Sequence, residues 1–199
     1  LTNLITKIKR FLKKFLNTSS QNKVLLDKII KQYPEINFDI NKAIFYDHHE
    51  THALSFGYFK NKNINKSLIF TMDGEGDFLS STVSIYENNK LNKLSKNLND
   101  TSLGYFYAES TKILGLKPFE HEFKVMGMAP YAKKEDVIRL LKELDGLFVL
   151  NKEGNFETKI VSSLFQYELE KIFKYEKFEN ICGAVQQFSE NLIIKWIEY

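Results

Sequence analysis

Residues Ser67–Leu98 read SLIFTMDGEGDFLSSTVSIYENNKLNKLSKNL, and they decide the fold. Ser67–Met72 is a short apolar run of the kind that forms a buried strand. Asp73-Gly74-Glu75-Gly76-Asp77 has the composition of a turn, and Thr82–Tyr86 leads away from it as a second strand. Asn88-Asn89 turns again into a third strand near Leu91–Leu98. Strands this short, joined by such tight connections, predict a three-stranded antiparallel meander.

Upstream, Ala43–Tyr46 reads as another short buried strand, with Asp47 as N-cap of a helix over His48–Tyr58. Ser20–Tyr33 forms a helix that stops before Pro34, because proline disfavours helical geometry in its predecessor. Leu4, Ile5, Ile8, Phe11, Leu12, Phe15 and Leu16 repeat at helical spacing opposite five basic residues. That pattern fits a basic membrane-surface helix or, more commonly, a solvated helix covering a domain. Downstream the chain turns helical. Ser102 caps a helix with Leu103, Phe106, Tyr107, Ser110 and Leu114 on one face, ended by Gly115 and Pro118. Further helices are expected over Glu122–Met128 and Glu135–Leu144, a hairpin around Gly154, and a last amphipathic stripe through Val185, Phe188, Leu192, Ile193 and Trp196.

The chain has 199 residues, 43% hydrophobic and 27% charged, which suits one domain or two small lobes with a real core. A net charge of +3, spread over scattered lysines, is no nucleic-acid footprint. Cys182 is the only cysteine, so there is no internal disulfide and no cysteine-based zinc site; a reducing, cytoplasmic setting fits. No apolar run is long enough to span a bilayer.

Three runs can carry chemistry. In Asp47-His48-His49-Glu50-Thr51-His52, His48 and His52 share a helix face at a spacing of four, with Cβ atoms about 5–6 Å apart. Two imidazoles so placed can hold one divalent cation, or can be a surface pair with no ligand. His49 is an alternative ligand or a supporting neighbour. The order of residues is wrong for HExxH, since the second histidine comes one position early. In the Asp73–Asp77 run, glycines let backbone N–H groups approach an anion and Asp73 can hold a metal, while a plain hairpin turn explains the same composition more simply. In Glu120–Tyr131, Gly127 and Pro130 interrupt a helical pattern, which suggests close packing or a ligand's approach. Lys124 is there as a point charge for phosphate, or as an ordinary surface lysine.

Together and in this order, DHHETHALS, TMDGEGD and SLGYFYAESTKILGLKPFEHEFKVMGMAPYA resemble the N-terminal domain of O-carbamoyltransferases of the nodulation-protein and antibiotic-tailoring type. The resemblance runs over roughly residues 42–199, and the last block is its most specific part. Met128 stands where that family has Leu, and Ala132 where it has Gly. The family's opening Gly-x-x-His-Asp strand, its Gly-Gly-x-x-x-Asn nucleotide loop and a further metal-binding Asp have no match here.

The resemblance implies an α/β, actin/hexokinase-like (ribonuclease-H-like) ATPase domain, incomplete at both ends. Residues 1–60 would end its first lobe and residues 61–199 would begin its second. It implies carbamoyl transfer from carbamoyl-adenylate, made from carbamoyl phosphate and ATP by a C-terminal domain of the same protein, to a hydroxyl of a small molecule or glycan. It implies an iron-like divalent metal (zinc or manganese being alternatives) on His48, His52 and Asp73. Asp73, Gly74, Gly76 and Lys124 would face the nucleotide and phosphates. The rival expectations are a tRNA threonylcarbamoyl-transfer protein and a non-catalytic or truncated paralogue of the same fold.

Overall fold

The structure is a computed structural model that describes residues 18–35, 39, 42–59, 64–158, 160 and 165–199. The amphipathic run Leu4–Leu16 lies outside the described residues. The chain forms two compact units, Leu1–Tyr46 and Asp47–Tyr199. In the first, helix α1 (Thr18–Gln32) occupies the stretch expected to be helical. The expected strand Ala43–Tyr46 is not one. Ile44 and Tyr46 are 74% and 67% exposed, and the described sheet contains no strand that pairs with them. A short apolar run becomes a strand only when a neighbour satisfies its backbone groups.

The second unit holds the expected meander: β1 (Lys66–Gly76), β2 (Leu79–Glu87) and β3 (Lys90–Leu98), paired antiparallel in the order β1-β2-β3. Both turns are two residues long, and all four turn residues take positive φ: Asp77 50°, Phe78 67°, Asn88 52° and Asn89 59°. Such turns match the right-handed twist of the flanking strands. The first turn corrects the sequence reading. Asp73–Gly76 is not the turn but the end of β1, where pairing with β2 is interrupted between Met72 and Gly76. A bulge of this kind re-aims side chains at the end of a strand.

The sheet packs against helices on both faces, with β2 buried along most of its length and β3 largely exposed. On one face Ile69 and Tyr86 pack with Ala53 of α2 (His48–Phe59). Phe70, one residue on and therefore on the opposite face, meets Trp196 with ring centroids 4.9 Å apart. Trp196 belongs to α7 (Phe178–Glu198), and its indole N–H donates to the Gly154 carbonyl at 3.1 Å. Around α7 lie α3 (Leu103–Ile113), α4 (Glu122–Met128), α5 (Lys134–Leu144) and α6 (Phe165–Phe173), with the small hairpin β4 (Val149–Leu150) and β5 (Phe156–Glu157). Phe106 of α3 is fully buried at the centre, with ring centroids 6.1, 6.3 and 5.1 Å from Phe148, Phe165 and Phe188. The expected stripe on α7 is in place, with Val185, Phe188, Leu192 and Trp196 buried and Ile193 half-buried.

One glycine behaves differently from its sequence reading. Gly127 is exposed, and a Cβ there would meet nothing within 4 Å, so close packing does not account for it. The close approach occurs instead at Gly183 of α7, where a Cβ would fall 2.4 Å from the Ala132 methyl. The chain is thus a mixed α/β protein with a small sheet that meets helices on both faces. Among the described residues, no helix is long and apolar enough to cross a membrane.

Candidate metal centre

Helix α2 starts where its sequence says it should. The Asp47 carboxylate accepts from the Glu50 N–H at 2.8 Å, an N-cap bond that satisfies one free donor of the first turn. Asp77, from the β1–β2 turn, accepts from the His48 N–H at 2.7 Å. Burial alone would raise the Asp47 carboxyl, but the Glu50 N–H and Lys93, 3.5 Å away, outweigh it and hold the group below the usual carboxylate range. The helix N-terminus is therefore tied to β3 through Lys93 and to the β1–β2 turn through Asp77.

That anchoring brings His48, His52 and Asp73 together. His48 Nε2 lies 2.8 Å from Asp73 Oδ2, His52 Nε2 lies 3.6 Å from the same oxygen, and the two Nε2 atoms are 3.1 Å apart. Donors about 2.1 Å from one divalent ion are separated by about 3.0 Å on an octahedral face and about 3.4 Å on a tetrahedral one. The observed triangle straddles those values. Two imidazoles and one carboxylate on one face form a donor set suited to a ferrous-type ion with open positions. The side chains are 37%, 56% and 43% exposed for His48, His52 and Asp73, so an ion held there would be open to solvent.

Asp73 is aimed by its backbone. Its Oδ1 accepts from the Gly74 N–H at 2.6 Å, leaving Oδ2 for the histidines. The hydrogen bond from His48, helped by the Gly74 N–H and opposed by partial burial, holds its carboxyl below the usual range. The carboxylate is thus ionised at neutral pH, the state in which it can act as a ligand.

The loop glycines have distinct jobs. Gly76 is buried against the His48 imidazole. Gly74 receives the N-terminus of α3, where a Cβ on Gly104 would fall 2.9 Å from Gly74 Cα. Ser102 caps α3 by accepting from the Tyr105 N–H at 3.1 Å and donates to the Gly74 carbonyl at 2.7 Å. Tyr105 donates to Glu75 at 2.7 Å, a bond that, with burial, pushes its phenol up to about 12. A cleft of about 350 Å³ opens beside Asp73 and Gly74, walled by Leu103 and Gly104 of α3 and by Gln186 and Glu190 of α7.

Of the residues singled out from sequence, the structure gathers His48, His52, Asp73, Gly74 and Gly76. Lys124 is exposed on α4 with its ammonium 5.8 Å from the Phe123 ring centroid. Among the described residues, none of the triad's hydrogen bonds or ion pairs reaches it. Sequence reasoning missed Asp77, Gly104 and Tyr105. Their roles come from pairings some 30 residues apart, and only the single glycine after the Ser102-Leu103 cap hinted at a close approach.

Comparison with known proteins decides the family. The chain matches the family model described as "Carbamoyltransferase N-terminus" over residues 5–199. The chain belongs to the carbamoyltransferase N-terminal family. It is 33% identical to an uncharacterized protein (MJ1051) of Methanocaldococcus jannaschii over 180 residues, covering 85% of this chain and 33% of that protein. It is similar to nodulation protein NolNO of Sinorhizobium fredii, 37% identical over 109 residues, which cover 55% of this chain and 16% of that protein. Nodulation protein NolO of Bradyrhizobium diazoefficiens is 41% identical over 85 residues, covering 43% of this chain and 15% of that protein. The chain therefore spans about a third or less of these curated relatives.

Proposed function

We propose that this chain is the metal-bearing part of an enzyme that moves a carbamoyl group from carbamoyl-adenylate to a hydroxyl on a small molecule or sugar. Carbamoyl phosphate and ATP would supply the adenylate, through a carbamoyl-adenylate-forming domain of the same protein. In this reading residues 1–60 end one ribonuclease-H-like lobe and residues 61–199 begin the next. The observation that carries the proposal is the triangle of His48, His52 and Asp73, with edges of 2.8, 3.1 and 3.6 Å, in a chain of the carbamoyltransferase family.

A divalent cation on these three residues supplies Lewis-acid polarisation of a carbonyl or phosphoryl oxygen. The chain's own groups do the rest. The Gly74 N–H fixes the direction of the Asp73 carboxylate. Gly104 and Gly74 let α3 approach the end of β1, so that the cleft beside Asp73 lies directly against the start of α3. A substrate in that cleft would lie within reach of the open positions of the triad. Lys124 serves as a phosphate contact only if a nucleotide bound in the cleft extends to α4.

Metal analysis tests the site. The purified chain, loaded anaerobically with ferrous ion or Co²⁺, is expected to retain about one ion per chain and to lose it in His48→Ala and His52→Ala. Equal and negligible metal in all three proteins would refute the site. The reaction needs the protein in which this chain is joined to its adenylate-forming domain. Labelled carbamoyl phosphate and ATP should then label a sugar or small-molecule hydroxyl. Labelling of tRNA instead would replace the acceptor class, and no labelling despite adenylate formation would favour a non-catalytic paralogue.

A further inference from the structure

His49 lies between the two histidines that face Asp73 and is itself fully buried, the only buried member of the three. Its Nε2 is 3.1 Å from the Leu79 carbonyl oxygen, and its Nδ1 is 2.9 Å from Thr71 Oγ1. Thr71 Oγ1 lies 2.7 Å from Thr82 Oγ1. A carbonyl oxygen only accepts, so Nε2 must carry the proton. Nδ1 is then free to accept from the Thr71 hydroxyl, which in turn accepts from Thr82. Every polar atom in this short chain finds a partner, which a buried imidazole requires.

The two ring nitrogens hold different strands. Thr71 belongs to β1 and Leu79 to β2, so a single side chain fastens the first turn of α2 to both sides of the hairpin. Helix geometry converts that fastening into aim. At about 100° per residue, His48 lies about 100° and His52 about 60° from His49, both on the same side. Once His49 is locked onto the sheet, both outer imidazoles are turned together toward the end of β1, where Asp73 sits.

We propose that His49 is the positioning residue of the triad: as an Nε2–H tautomer bonded to Leu79 and Thr71, it sets the rotation of α2 that brings His48 and His52 to Asp73. This rests on the metal reading given above and deepens it. Groups that orient metal ligands commonly affect metal affinity by about 10–100-fold when removed.

The test isolates one hydroxyl. Thr71→Val removes the donor to His49 Nδ1 at nearly constant shape, and Thr71→Ser restores it. Co²⁺ titration of the whole chain is expected to show affinity about 10–100-fold weaker in Thr71→Val and close to wild type in Thr71→Ser. Leu140→Ala, which empties a buried position of α5, should lower the melting temperature and leave Co²⁺ affinity unchanged. Two-bond ¹H–¹⁵N spectra should place the His49 proton on Nε2. Wild-type affinity in Thr71→Val, or a proton on Nδ1 alone, overturns the proposal. If wild-type protein takes up no Co²⁺, the metal reading fails separately. The latch is then decided by hydrogen exchange of the Glu50–Ala53 amides: faster in Thr71→Val and not in Thr71→Ser supports it, and no change overturns it.

Discussion

The His48 imidazole occupies the space that a side chain on Gly76 would need: a Cβ at Gly76 would fall 2.0 Å from His48 Cδ2 and 2.6 Å from its Nε2. No real Cβ contact is that short, and a side chain yields more readily than strand backbone, so the imidazole would have to leave its bond to Asp73. Gly76→Ala is therefore expected to weaken metal binding at least tenfold while the sheet stays folded. Co²⁺ titration beside far-ultraviolet circular dichroism checks this. Unchanged affinity would mean that His48 is not held where it lies.

At Gly104 the obstacle is backbone, since an added Cβ would fall 2.9 Å from Gly74 Cα and 3.0 Å from Gly74 N. Backbone cannot swing aside as a side chain does. Gly104→Ala should push α3 away from β1, cost about 1–3 kcal/mol in stability, and alter the cleft beside Asp73. Urea unfolding measures the first effect, and amide hydrogen exchange at Gly74 and Leu103 measures the second.

Phe106 is fully buried among Phe148, Phe165 and Phe188. Removing a core phenylalanine costs about 3–5 kcal/mol through lost burial and the cavity left behind. Phe106→Ala is thus expected to unfold at markedly lower urea, with loss of α3 packing visible in near-ultraviolet circular dichroism.

The Cys182 thiol is fully buried, and that burial pushes its pKa up from 9.0 to about 11. Iodoacetamide at pH 8 should leave it unmodified in the folded chain and label it at the rate of global unfolding. Burial likewise pushes the Tyr107 phenol up from 10.0 to about 12. Both groups bind their protons more tightly when folded. Their contribution is complete below the unfolded values and is lost as pH rises through about 9–11 for Cys182 and 10–12 for Tyr107. Melting temperature should fall across that range, and Tyr107→Phe should make the fall shallower above pH 10.

The sequence by itself determined whatever depends on near neighbours along the chain. Helix α2 begins at His48 because Asp47 can cap it, and the i, i+4 spacing alone places His48 and His52 on one face. Short apolar runs between turn residues, Asn88-Asn89 among them, specify the meander, while Ser102 and Gly115 bracket α3. Tertiary structure alone decided the rest. The pairing of β1 with β2 turned Asp73–Gly76 from an expected turn into the bulged end of a strand. The absence of a partner among the described strands left Ala43–Tyr46 without strand geometry. His49 looked like a third candidate ligand, yet its bonds to Thr71 and Leu79 take both its nitrogens. Those bonds cross 22 and 30 residues of chain. Local pattern reports propensity and face, but the triangle of His48, His52 and Asp73 is set by contacts between distant segments, whose geometry exists only once the sheet has formed and α2 has docked on it.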